Sequence, residues 1–179
     1  GSSDAWILKL SSTGTIEWQR TYGGSDWNSA NSIQQTSDGG YIVAGYSSSF
    51  GAGGYDVWVL KLSSTGAIDW QHTYGGSGND YANSIQQTSD GGYIVAGYSS
   101  SFGAGDYDVW VLKLSPTGTI DWQRTYGESC GENAYSIQQT SDGGYIVAGK
   151  TWPFGVGSSD ARILKLSSTG TIEWQRTYG

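Results

Sequence analysis

The chain has 179 residues and a net charge of −7, from 9 Lys+Arg against 16 Asp+Glu, and it is rich in Gly (29), Trp (9) and Tyr (13) while lacking Met. That length suits one domain with a sizeable core. The acidic balance argues against nucleic acid as a partner, and no apolar run reaches the 18 residues expected of a membrane-inserted helix. No charged and then apolar leader pattern occurs in these residues, and a single cysteine makes no internal disulfide, so redox compartment is not legible.

Self-similarity organises the rest. Asp4, Asp56, Asp108 and Asp160 each open the same phrase, at a period of 52 residues. Residues 4–55 and 56–107 match at 42 of 52 positions, and 56–107 and 108–159 at 36 of 52. Residues 160–179 begin a fourth copy, and 157–179 repeat 1–23 with one difference, Arg162 for Trp6. The chain therefore divides into one repeat domain, 1–179, holding 4–55, 56–107, 108–159 and the partial 160–179. A regular period of this length means one supersecondary unit copied, each copy burying its faces on its neighbours.

In chain order each unit predicts four short strands. Asp56-Val-Trp-Val-Leu-Lys-Leu62 is apolar and β-branched and runs into the turn Ser63-Ser-Thr-Gly66. Ile68 to Tyr74 alternates, with Ile68, Trp70 and Tyr74 on one side and Asp69, Gln71 and Thr73 on the other. A loop, Gly75 to Asp80, precedes a third strand over 82–88. Asp90-Gly-Gly92 then makes a hairpin turn in which glycine supplies the positive φ. Tyr93-Ile-Val-Ala-Gly97 is apolar throughout, as a strand covered on both faces must be. No helical periodicity occurs, so the expected class is all-β.

Four strands per repeat, with inner strands apolar on both faces, describe a β-propeller-like array of four-stranded antiparallel blades. If Ser-Ile-Gln-Gln-Thr is innermost (A) and Ile-Asp-Trp-Gln outermost (D), the chain runs C-D and then A-B-C-D three times, giving three full blades plus a C-D half-blade. The phrases Asp-x-Trp-x-Leu-Lys-Leu-x-x-x-Gly-x-Ile-x-Trp-x-x-Thr-Tyr-Gly-Gly-Ser and Asp-Gly-Gly-Tyr-Ile-Val-Ala-Gly resemble the bacterial and archaeal seven-bladed β-propeller repeats known as SBBP. That resemblance implies a secreted or cell-surface protein and supplies no catalytic residues, and three repeats are fewer than a closed propeller of that family holds. A β-trefoil, which also has three four-stranded repeats in this length, is the alternative; the uniformly apolar Tyr-Ile-Val-Ala-Gly strand weighs against it.

The duplicated ends compete for one partner, residues 134–149. Three readings stay open: an excerpt from a longer array, a device for self-association by strand exchange or edge pairing, and an engineered near-symmetric chain.

Copy-to-copy differences concentrate in two loops. Of the 16 between the second and third copies, 12 fall in the D-A loop (76–81 against 128–133) and the B-C loop (98–107 against 150–159), which a meander places on one rim. That rim carries Trp27, Tyr55, Tyr81, Tyr107 and Trp152, with the acids Asp26, Asp80, Asp106 and Glu132. Aromatic faces beside amides and carboxylates suit a glycan or a peptide segment, so Trp27, Tyr55, Tyr81, Tyr107, Trp152, Asp80 and Glu132 are the candidate ligand-binding residues. The same loops could equally vary for want of packing constraint. Calcium is disfavoured because the oxygens of Ser77-Gly-Asn-Asp80 do not recur in register. The recurring Asp56, Asp108 and Asp160 are expected to bond backbone amides at strand starts.

No catalytic, metal or cofactor motif emerges. His72 is replaced by Arg20 and Arg124 in the other copies and reads as a solvated outer-strand position. Cys130 has no histidine partner in sequence reach. The expectation is a non-enzymatic binding or structural module that self-associates.

Overall fold

A computed structural model describes residues 2–128, 131–152 and 159–179. Fourteen strands are described: β1 (Ala5–Leu10), β2 (Ile16–Tyr22), β3 (Asn28–Gln35), β4 (Tyr41–Ser47), β5 (Asp56–Leu62), β6 (Ile68–Tyr74), β7 (Asp80–Gln87), β8 (Tyr93–Ser99), β9 (Asp108–Leu114), β10 (Ile120–Tyr126), β11 (Glu132–Gln139), β12 (Tyr145–Thr151), β13 (Asp160–Leu166) and β14 (Ile172–Tyr178). They form one two-stranded sheet, β1–β2, and three four-stranded antiparallel meanders, β3 to β6, β7 to β10 and β11 to β14. The four sheets are separate, which replaces the trefoil alternative with the blade array: a half-blade, then blades 1, 2 and 3.

Burial follows strand position. Strands β5, β8 and β9 are covered on both faces almost throughout, because each lies inside its sheet and between two others. The core is three clusters sandwiched between successive sheets. One of them unites Ile42 and Val59 of blade 1 with Ile85, Val95 and Leu112 of blade 2. Each such side chain contributes about 1.5–3 kcal/mol by leaving water. The outer strands remain half wet.

One expectation about the outer strand is corrected. Ile68 does not share the buried side with Trp70: the pairing jumps from Lys61↔Trp70 to Leu62↔Ile68, and this bulge turns Ile68 outward. The same irregularity recurs in the other outer hairpins.

The rim formed by the A-B and C-D turns is built alike in every blade. Gly91 takes φ 83° and Gly92 sits against the neighbouring strand, where a methyl group would fall 2.3 Å from the Leu114 carbonyl oxygen. The Thr88 hydroxyl (2.5 Å) and the Gly92 amide (3.0 Å) donate to Asp90, which pairs with Lys113 at 2.9 Å. Burial opposes ionisation of Asp90, yet the Thr88 hydroxyl and the Lys113 ammonium overcome it and hold its pKa down to about 2. Asp38 with Lys61 and Asp142 with Lys165 repeat the arrangement. Blades are tied across this rim by tyrosines: the hydroxyls of Tyr22, Tyr74 and Tyr126 donate to the carbonyls of Gly66, Gly118 and Gly170, each at 2.6 Å.

Candidate functional site

The opposite rim gathers the variable loops, as the meander requires. The Asp80 amide donates to the Tyr55 carbonyl (2.6 Å), Ser100 to Asn79 (2.9 Å) and Glu132 to Tyr107 (2.7 Å), so each D-A loop is zipped to B-C loops by backbone bonds. Side-chain hydroxyls reinforce the zipper, with Ser48 and Ser49 accepting from the amides of Trp27 and Asp26.

On this frame the structure brings together three of the predicted residues and adds two. Tyr55, Tyr81 and Tyr107 join Tyr46 of β4 and Tyr98 of β8 in a continuous stripe. Tyr46 meets Tyr55 at 5.2 Å and Tyr81 at 5.0 Å between ring centroids, Tyr81 meets Tyr98 at 4.8 Å, and Tyr98 meets Tyr107 at 5.3 Å. All five rings are half-buried. Among the described residues none of their hydroxyls has a protein hydrogen-bond partner. Burial, reinforced by the neighbouring phenols, pushes Tyr81 up to about 12, so its hydroxyl stays a neutral donor at physiological pH. Tyr98, the first residue of the variable B-C loop, and its equivalent Tyr46 are not among the predicted residues, although the change from Tyr98 to Lys150 in the third copy was a signal for them.

In blade 3 the stripe gives way to a different grouping. Lys150 replaces the tyrosine and lies 4.0 Å from the Trp152 ring centroid and 5.9 Å from that of Tyr135. Trp152 and Tyr135 are exposed. Trp27 is exposed on the same rim but makes no ring contact with the tyrosines among the described residues.

Two predicted site residues are corrected. Asp80 and Glu132 are buried rather than presented to solvent. Asp80 begins β7 beneath the loops and accepts hydrogen bonds from Ser99, from Ser101 at 2.6 Å and from the Gly76 amide at 2.9 Å. Glu132 accepts from Thr151 at 3.2 Å and pairs with Arg162 at 3.5 Å. Both serve the loop scaffold. Asp26 and Asp106 are exposed, as expected.

The recurring strand-start aspartates behave as read from sequence at Asp108, which accepts from the amides of Ala104 (2.9 Å) and Gly105 (3.1 Å). Asp56 faces a second buried acid: a methyl at Gly75 would fall 1.9 Å from Asp56 Oδ1 and 2.7 Å from Asp80 Oδ2, so only glycine lets the two carboxylates approach. Burial first, and then the Asp80 charge, push Asp56 up to about 6. At the boundary of the half-blade and blade 1 the same place holds Asp4 and Asn28, whose amide nitrogen donates to Asp4 at 3.5 Å.

His72 is exposed on β6 and its Nε2 lies 3.2 Å from the Thr117 carbonyl; Arg124 makes the matching bond to Thr169 at 2.9 Å. Cys130 lies outside the described residues. Among the described residues no three His, Cys, Asp or Glu side chains converge as a metal site.

The family described as "Domain of unknown function (DUF5122) beta-propeller" matches residues 88–121 and again 140–173. The two matches are offset by the internal period and each runs from an A-B turn to the start of an outer strand. The repeats are β-propeller blades. No curated protein matches the chain. Among solved structures it is similar, at 15% identity and TM-score 0.46, to one described as a "putative exo-beta-1,3-galactanase from Bifidobacterium bifidum s17". The similarity covers 96% of this chain and 57% of that one, so the chain spans little more than half of that structure.

Proposed function

We propose that the chain is a non-enzymatic β-propeller module whose variable rim binds a saccharide across the tyrosine stripe. The resemblance to SBBP repeats supports placing it in a secreted or cell-surface protein. The observation that carries the binding reading is the run of five half-buried tyrosines whose hydroxyls have no partner among the described residues, crossing from blade 1 to blade 2 on the rim where copies differ. Stacked rings offer apolar faces to the C–H faces of sugars, and each ring edge brings a donor-acceptor hydroxyl that needs no charge. The two buried acids of this rim, Asp80 and Glu132, accept from loop hydroxyls and amides beneath the surface, which supports the non-enzymatic reading.

Calorimetry against a set of β-linked gluco- and galacto-hexasaccharides tests the proposal, with Tyr98→Ala and Tyr81→Ala as variants. Binding by the unchanged chain that drops at least tenfold in both variants, with their unfolding transitions still cooperative, is the expected result. A blank panel, or binding indifferent to both substitutions, overturns it.

A further inference from the structure

The two ends of the array expose what its middle buries. Ile85 and Ile137 on the inner strands are 4% exposed, whereas their counterpart Ile33 on β3 is 51% exposed. At the other end Tyr126 is 7% exposed and its counterpart Tyr178 is 54%. The cause is positional. Strand β4 packs on β7, and β8 packs on β11, but among the described residues only β1 touches that side of β3, and slightly. A cleft of about 280 Å³, lined by Trp6, Leu8, Ser32 and Ile33 among others, lies where the second strand of a preceding blade would sit.

The polar groups at the ends are complementary too. At the boundary of blades 1 and 2 the Ile85 amide donates to Ser32 Oγ (3.2 Å) and the Gln87 amide to Gln34 Oε1 (2.6 Å). The boundary of blades 2 and 3 repeats both, from Ile137 to Ser84 (3.2 Å) and from Gln139 to Gln86 (2.7 Å). One period further on, the acceptors are Ser136 Oγ and Gln138 Oε1 of β11, and the matching donors are the amides of Ile33 and Gln35 on β3. Among the described residues neither half of that set finds its counterpart within the chain.

We propose that a second copy of this chain docks head to tail on these faces, with β11 and β12 of one copy seated on β3 of the next. The new boundary reproduces the two inside the chain: Ile33 enters the place that Ile85 and Ile137 fill, and its amide and that of Gln35 meet Ser136 and Gln138 of the partner copy. The outer half of the joined blade needs one C-D hairpin, and the two copies bring two, β1–β2 and β13–β14. These differ only at Trp6 and Arg162, so either completes the blade. The two faces are different surfaces, so the contact is heterologous and propagates to a ring or a filament. It is independent of what the tyrosine rim binds.

Native mass spectrometry of the full chain tests this, with Ile33→Glu as the interface variant and Ile68→Glu, exposed on an outer strand of the same blade, as its control. The expected result is a mass at least twice the 19.1 kDa of one chain, reduced to one chain by Ile33→Glu and unchanged by Ile68→Glu. A single-chain mass for the unchanged protein, or an oligomer indifferent to Ile33→Glu, overturns it. Orientation is read by mixing full-length Asn31→Cys and Tyr135→Cys chains, each also carrying Cys130→Ser. Within the chain Asn31 Nδ2 lies 3.4 Å from Asn83 Oδ1, and residue 135 stands one period beyond 83, so a mixed disulfide is expected between copies. An oligomer sensitive to Ile33→Glu that forms only the homodisulfides of each variant overturns the head-to-tail arrangement.

Discussion

The two rims of the array are made from the same strands and obey opposite rules. On the A-B and C-D rim every blade spends its turn residues on one solution, a Thr-Ser-Asp-Gly-Gly hairpin and a buried lysine, and each internal boundary adds a tyrosine hydroxyl reaching the next blade. On the D-A and B-C rim the backbone zipper and the strand-start acids Asp56, Asp108 and Asp160 recur, while the D-A loop side chains differ in every copy and those of the B-C loop change in the third. Turns that hold a neighbouring blade in place cannot vary without loosening the boundary. Loops zipped to one another by main-chain bonds can, because the zipper does not depend on side-chain identity.

The largest effect that breaks the contrast is expected at Gly92→Ala. The new methyl would meet the Leu114 carbonyl at 2.3 Å, a backbone atom that cannot swing aside, so thermal unfolding should show a loss of about 3 kcal/mol. Tyr126→Phe removes the bond to Gly170 and leaves that carbonyl without its donor, which should cost about 1.5 kcal/mol in urea unfolding. A substitution of Tyr98 on the other rim should cost less than either.

The smallest expected effect separates the rims by pH. Asp90, held down to about 2, lends stability that is present above its unfolded value near 4 and is lost as pH falls toward 2. Asp56, raised to about 6, acts with the opposite sign: the folded chain binds its proton first, so stability rises as pH falls from 6 to 4. Asp80→Asn, which copies Asn28 at the boundary of the half-blade and blade 1, should raise stability at pH 7 by up to about 1 kcal/mol and flatten that window. Denaturant midpoints between pH 2 and 8 check both signs.

Some of this was legible from residues alone. The 52-residue period, the doubly covered strands around Tyr93–Gly97 and the positive φ at Gly91 follow from composition and turn chemistry. The stripe was half legible: Tyr55, Tyr81 and Tyr107 stood out because they fall in or beside variable loops. Tyr46 and Tyr98 sit at the edge between the apolar strand and the same loop, and the structure carries β4 and β8 through them to Ser47 and Ser99. Asp80 and Asp106 look alike in sequence as loop-edge acids, yet one is buried under serine hydroxyls and the other is exposed. Ile68 follows the alternating pattern and leaves the core only because of a bulge.

The sequence by itself determined the repeating unit, its strand order and which strands lie inside, since periodicity, glycine placement and apolar runs act through neighbours a few residues apart. Only the tertiary structure decided which acids see water, which tyrosines share a surface and which faces at the ends lack a neighbour. Those facts depend on residues about 50 positions apart meeting across a blade boundary, and local pattern carries no record of that distance.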